Sequence, residues 1–279
     1  MRKTFFFVLL ALCCLQTTHT AAQAADTTRY FVYSYMKVKP GMHDDYLKME
    51  KAHKKLHLAF KKAGHLQDWS LAELLSPSGT SNEYDFVCRN SYVGAAQFAG
   101  HMDGSTYSGI DWKSLLNAAE MALFNRTDEI RDLVKTEVWT VNGAATAWAD
   151  DADKTAKIAV FNYFTIPAGK TTDDHTKVEM DIWRPIMKSR VKDGTMKGWF
   201  LLDMRMPFGA DVPYEQATVD LYTDMKQYMM PWFEASFKKV HPGKNQADLL
   251  KQTSAVCTLQ KGEVRMIVDR LDWPDIIVK

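Results

Sequence analysis

His53 and His57 lie four residues apart, with Glu50 three residues before the first. On a helix this spacing sets two imidazoles and a carboxylate on one face, a donor set that can hold a metal ion. No H-E-x-x-H base accompanies it, and the second half of the chain has Glu179 followed by Ile182 and Ile186 where the histidines would recur, so no metal is expected. As possible axial haem ligands the second half of the chain offers His175, at a helix start, and the loop His241-Pro242-Gly243. Neither position suits an imidazole that must project into a pocket, and no cofactor is expected. The sequence holds no nucleophile elbow, phosphate loop or dinucleotide fingerprint. What remains is acid–base chemistry. Glu73 and Asp203 are the candidate catalytic groups. Trp69, Glu73, Tyr84, Trp199, Asp203, Arg205, Tyr214, Asp220 and Arg265 are the candidate ligand-binding set, aromatic walls with a few polar groups.

An internal repeat positions these residues. At a shift of 130, Gly64, Trp69, Leu71, Pro77, Gly79, Tyr84 and Tyr92 meet Gly194, Trp199, Leu201, Pro207, Gly209, Tyr214 and Tyr222. A shift of 128 pairs Tyr35 with Tyr163, Gly41 with Gly169 and Asp45 with Asp173; a shift of 126 pairs Lys135, Glu137 and Val138 with Lys261, Glu263 and Val264. The drift in offset implies short insertions, expected in loops. In each copy an alternating strand (Tyr30–Val38; Ile158–Ile166) leads through a Gly turn into an amphipathic helix that Gly64 or Gly194 caps. Two further strands, helical pieces and a fourth strand follow, with helix expected from Trp112 to Leu133. Pro185 should kink or end the first helix of the second copy.

The order β-α-β-β-α-β, carried twice by the Gly-x4-Trp and Pro-x-Gly segments and by Lys39-Pro40-Gly41, resembles the dimeric α+β-barrel superfamily. That superfamily includes cofactor-free monooxygenases, haem-degrading and chlorite-dismutating enzymes, and stress-responsive proteins. Within it the chain is similar to an exported bacterial group of tandem-unit proteins without an assigned activity. The resemblance implies an α+β fold of two ferredoxin-like βαββαβ units in tandem, their sheets packed face to face as an intrachain barrel. The expected boundaries are 1–24 for a signal peptide, 25–142 for the first unit, 143–156 for a linker and 157–279 for the second unit.

Strand alternation then assigns faces. Phe200, Leu202, Met204 and Met206 are expected under helices, as are Ala217, Val219 and Leu221. Trp199, Leu201, Asp203 and Arg205, with Trp69, Leu71, Glu73 and Leu75, are expected inside the barrel, because exposure would leave a large apolar patch. Tyr84 through Tyr92 and Tyr214 through Tyr222, at alternate positions, join them, together with Glu137, Trp139, Glu263 and Arg265. Buried charges of this kind must be paired or hydrated.

The ends and the composition bound the setting. Arg2 and Lys3, the apolar run Phe5–Leu15 and the Ala22-Gln23-Ala24 site read as a signal peptide, which implies a periplasmic or extracellular protein. Its removal leaves 33 basic against 34 acidic residues, a balance with no electrostatic footprint for nucleic acid. No second apolar run is long enough for membrane insertion after cleavage. Cys88 and Cys257 survive cleavage, and an oxidising compartment would let them pair. Three functions stand open: an exported binder of a small, partly apolar or aromatic molecule in a barrel pocket; a cofactor-independent monooxygenase or isomerase using that pocket; and a self-associating structural module, such as a homodimer, with a filled barrel.

Overall fold

The computed structural model describes residues 26–145, 155–209, 211–231 and 233–272. The expected signal peptide and most of the expected linker lie outside the described residues. The first half runs β1 (Arg29–Val38), α1 (His43–Lys62), β2 (Asp68–Ser76), β3 (Phe86–Val93), α2 (Gly94–Met102), α3 (Ala118–Asn125), α4 (Thr127–Ile130) and β4 (Arg131–Ala144). The second runs β5 (Ile158–Thr165), α5 (Thr172–Val178), a π-helical turn (Glu179–Trp183), α6 (Arg184–Lys192), β6 (Gly198–Met206), β7 (Gln216–Tyr222), α7 (Met225–Tyr228), α8 (Phe233–Val240), α9 (Gln246–Ser254) and β8 (Thr258–Arg270). No helix among the described residues is long and apolar enough to cross a membrane. The helix expected over Trp112–Leu133 is broken into α3 and α4, and β4 begins at Arg131. At its other end β4 runs on through Gly143 and Ala144, which pair with Leu201 and Phe200 of β6.

All eight strands form one closed antiparallel barrel in the order β1-β3-β2-β8-β5-β7-β6-β4. Within each half the strands lie in the order fourth, first, third, second, and two seams, β2–β8 and β4–β6, join the halves. Helices cover the outside, so nearly every strand buries both faces. Gly64 and Gly194 follow α1 and α6 with φ of 77° and 71°, the left-handed conformation that ends a helix without a Cβ penalty.

The helix of the second half, Thr172–Lys192, has one residue more than α1. The extra residue is absorbed in the π-helical turn, within the helix rather than in a loop. Pro185 stands two residues after the end of that turn, as the second residue of α6, and the helix continues past it. The wider turn takes up the missing Pro185 N–H, which in an unbroken α-helix would cost a hydrogen bond and a clash.

The faces of the second and third strands are the reverse of those expected. Phe200, Leu202, Ala217, Val219 and Leu221 pack inside the barrel with Phe31, Tyr33 and Phe161. Trp69 and Leu71 lie under the first-half helices, and Trp199 and Leu201 under the second-half helices. Both faces of these strands are apolar, so alternation defines two faces without saying which is inner. The fourth strands keep their expected faces.

At one end of the barrel interior two carboxylates gather the tyrosines. Glu137 accepts from Tyr35 (2.6 Å), Tyr214 (2.6 Å) and the Trp139 indole (3.1 Å), with Lys135 at 3.3 Å. Glu263 accepts from Tyr84, from Arg265 (2.5 Å) and from Lys261 (2.5 Å), with Tyr163 at 3.5 Å. The Arg265 guanidinium also lies 3.8 Å from the centre of the Phe161 ring. Burial alone would raise the Glu263 carboxyl, but Arg265, Lys261 and Tyr84 outweigh it and hold it down at about 2. Among the described residues the rest of the interior, lined by Phe31, Tyr33, Phe161 and Phe200, holds a cavity of about 40 Å³. That is room for a water or a diatomic molecule, far below the several hundred Å³ of a ligand pocket.

Glu263→Gln removes the counter-charge of a fully buried arginine and is expected to destabilise the protein by roughly 3–5 kcal/mol at neutral pH, measured by urea unfolding. The depressed Glu263 carboxyl contributes stability above its ordinary value near 4.5, and that stability is lost as pH falls towards 2. The variant should therefore lose part of the acid limb of the stability profile. An unchanged midpoint at pH 7 would refute the role given to this pair.

Candidate functional site

Two of the candidate ligand residues, Trp199 and Asp220, border a void outside the barrel, between the outer face of the second-half sheet and its helices. It measures about 350 Å³. Trp199 from β6 and Asp220 and Tyr222 from β7 form its floor, Glu179, Trp183 and Met187 its roof, and Tyr228 and Thr253 one side. The local sequence explains the arrangement. Thr218, Asp220 and Tyr222 alternate on the helix side of β7, while Ala217, Val219 and Leu221 fill the barrel. The π-helical turn carries Glu179 and Trp183 and delivers both to the same cavity.

Asp220 is the chemically distinctive group. It is 9 % exposed, and its Oδ1 has no hydrogen-bond partner among the described residues. Burial pushes its carboxyl up to about 7; Arg190 opposes the rise, Glu179 adds to it, and a hydrogen bond from Tyr222 opposes it. Arg190 is fully buried, 3.4 Å from the Tyr222 hydroxyl, and does not line the cavity. The second acid is held differently. His175 Nε2 is 3.2 Å from Glu179 Oε1 and its Nδ1 is 2.8 Å from Gln216 Oε1. Burial opposes the imidazolium, yet hydrogen bonds with Cys257 and Glu179 carry His175 up to about 10, so both ring nitrogens donate. The cavity thus pairs one carboxylate locked to a cation with one carboxyl poised between its two protonation states. Trp183 is fixed by donation from its indole to Thr253 Oγ1 at 3.0 Å. Such a site can accept or donate one proton against a planar molecule held between aromatic walls.

The other expected site residues are dispersed. Tyr84 and Tyr214 reach the barrel interior because they precede β3 and β7 and escape the strand alternation; Arg265 is there too. Phe86 and Cys88, expected beside Tyr84, point to the first-half helices. Trp69 lies beneath α1, its ring stacked on His57 at 5.3 Å. Asp203, on the outer face, accepts from Gln216 (2.6 Å) and Asn142 (2.9 Å). Arg205 donates to Thr140 at 2.9 Å. Glu73 borders one cavity on the outer side of the β2–β8 seam and another at the ends of β1, β2 and β3.

His57 is half-buried, and its imidazole is pushed down to about 3, first by loss of solvation and then by His53 and His101. His53 lies 3.7 Å from Glu50, which also accepts from Cys88 Sγ at 3.6 Å. Among the described residues no group of three or more potential metal ligands comes together. His241 contacts the Ile182 carbonyl. Cys88 and Cys257 are free, buried thiols in separate halves. Sequence reasoning missed Glu179, Trp183 and Tyr228 as neighbours of Asp220. The extra residue in the second helix was a readable signal for the first two.

No protein-family model and no curated protein matches this chain. Solved structures do. A candidate monooxygenase from Fusobacterium nucleatum is 14% identical, with a TM-score of 0.51, and the match covers 88% of this chain and 94% of the other. A second candidate monooxygenase, from Lactobacillus acidophilus, is 11% identical, with a TM-score of 0.51 and coverage of 88% and 94%. At these identities the likeness is one of fold. The chain is an α+β protein with a closed eight-stranded barrel of the same kind as both.

Proposed function

We propose that the protein binds a small planar molecule, partly apolar and bearing an O–H or N–H, between the sheet and helices of its second half. The observation that carries this reading is Asp220 Oδ1, buried without a partner beside a cavity of about 350 Å³ walled by Trp183, Trp199 and Tyr222. A buried acceptor without a hydrogen bond costs about 1–3 kcal/mol, which a ligand donor would restore. The setting is proposed to be exported, on the strength of the N-terminal signal pattern. Each half is read as one ferredoxin-like unit of a duplicated chain, which the repeated strand order supports.

A second reading, proton transfer as in a cofactor-independent isomerase or monooxygenase, is favoured by the same residue. A carboxyl near 7 is matched to taking a proton from an acidic C–H and giving it back at neutral pH. Glu73 and Asp203 are weaker bases for this reading: Asp203 is engaged by two amides, and Glu73 is on the other seam.

Calorimetric titration with 2-naphthol, with naphthalene as the control lacking a donor, tests the binding reading. 2-Naphthol should bind and tighten as pH rises through about 7, where Asp220 becomes the accepting carboxylate. Asp220→Asn should weaken it at least tenfold and flatten the pH profile. Equal affinity of wild type and variant at pH 8 would end this assignment. Solvent deuterium incorporation into 2-tetralone, faster with wild type than with Asp220→Asn, tests the proton-transfer reading.

Asp220 also makes a stability prediction. Its carboxyl is raised in the folded state, so the stability it contributes is present below its ordinary value near 4 and is lost as pH rises to about 7. The loss is on the order of 2–4 kcal/mol. Wild type should fall relative to Asp220→Asn across pH 4 to 7 in urea unfolding, and parallel profiles would show that the carboxyl titrates normally.

A further inference from the structure

The duplication creates two equivalent seams, and they have opposite chemistry. At the β4–β6 seam, Arg205 donates to Thr140, Asn142 donates to Asp203 (2.9 Å) and to Thr176 (3.0 Å), and Gln216 donates to Asp203 and Thr176. At the β2–β8 seam the repeat offsets of 130 and 126 put Leu75 where Arg205 stands, Met266 for Thr140 and Val268 for Asn142, and aligning the helix starts His43 and Thr172 puts Leu47 for Thr176. The hydrogen-bonded plug is thereby replaced by an apolar cavity of about 420 Å³. Leu47, Leu75, Ile158, Met225, Met266 and Val268 wall it, and among the described residues no Phe, Tyr or Trp does. Flexible aliphatic walls without flat rings suit a chain rather than a planar ring system.

The polar groups at this cavity are His43, Glu73, Lys157 and Asp224. Asp224 is committed to capping α7, accepting from Gln227 N at 2.8 Å, and His43 sits 3.5 Å from Asp44. Lys157 is exposed and solvated. Glu73 is half-buried and makes no hydrogen bond or ion pair with any described residue. It occupies the position of Asp203, whose two oxygens are both taken at the opposite seam.

The geometry points to a second binding site at the β2–β8 seam, taking an unbranched aliphatic chain with a cationic head group that pairs with Glu73. The chain replaces the missing plug, and the ammonium supplies the donors that Asn142 and Gln216 supply to Asp203. This site is separate from the cavity at Asp220.

Calorimetric titration of the whole protein with hexylamine, octylamine, octanol and octanoate tests it. Octylamine should bind saturably, about fourfold tighter for each methylene beyond hexylamine until the cavity is full. Glu73→Gln should weaken octylamine at least tenfold and leave octanol unchanged. Leu75→Arg with Met266→Thr, which installs the plug of the opposite seam, should abolish both, while Asp220→Asn should change neither. Tighter binding of octanoate than of octylamine would overturn the proposal. So would an absence of saturable binding, or octylamine affinity unmoved by Glu73→Gln, a variant that keeps the fold even where the double replacement does not.

Discussion

Glu137 and Glu263 stand where hydroxyl groups from both halves of the chain converge, and the closure of the barrel turns on them. Tyr214 of the second half donates to Glu137 of the first, and Tyr84 of the first donates to Glu263 of the second. Each half also keeps a bond of its own, from Tyr35 or Tyr163. A carboxylate buried without donors would cost several kcal/mol, so neither half can shed its partner without stranding a charge. The bonds fix how the halves meet across both seams. That in turn fixes which sheet faces turn outward to the helices, and it is there that the cavities lie.

The internal sequence match is closest at the carboxylate end of the interior, where both halves share one enclosed space. Tyr35 and Tyr163, Tyr84 and Tyr214, Lys135 and Lys261, and Glu137 and Glu263 are repeat-related pairs making matching contacts. Beyond this cluster the match is lost: Ser70 takes the place of Phe200 and Arg89 that of Val219, and Trp139 is matched by Arg265, though both of these donate to the neighbouring glutamate. The outer faces are under no such joint constraint. Asn90 occupies the place of Asp220, and His57 lies on Trp69 where Met187 shares the cavity of Trp199. One added residue in the second helix, absorbed as a π-helical turn, redirects Glu179 and Trp183 over that cavity.

The element order, the repeat and the fourth-strand residues were legible because Gly, Pro, Trp and Tyr punctuate both copies at matched offsets. The parity of β2, β3, β6 and β7 was not. Phe200 and Leu202 on one face are as apolar as Trp199 and Leu201 on the other, and a sheet buried on both sides gives no polar edge to orient by. Asp220 carried a polar signal, but it marked a buried acid without saying which wall it stood in. Tyr84 and Tyr214 read correctly for a reason alternation does not contain: they lie one step outside the regular strands. Pro185 warned of an irregular helix, and the irregularity took the form of a wider turn rather than an end.

A filled barrel has a consequence for where chemistry can reside. The cavity of about 40 Å³ among the described interior residues has room for a water or a diatomic molecule, while voids of several hundred Å³ lie on the outer faces. The Tyr–Glu–Lys cluster satisfies its own charges, as a structural network should. On the outer face the pairing is incomplete: Asp220 keeps an oxygen without a partner among the described residues, and Arg190 does not line the cavity. A carboxyl left in that state lowers stability, and it persists only where surrounding structure over-determines its place. The barrel supplies that surplus. The closed, symmetric interior is what allows one wall of one half to hold an acid near neutrality, facing open space.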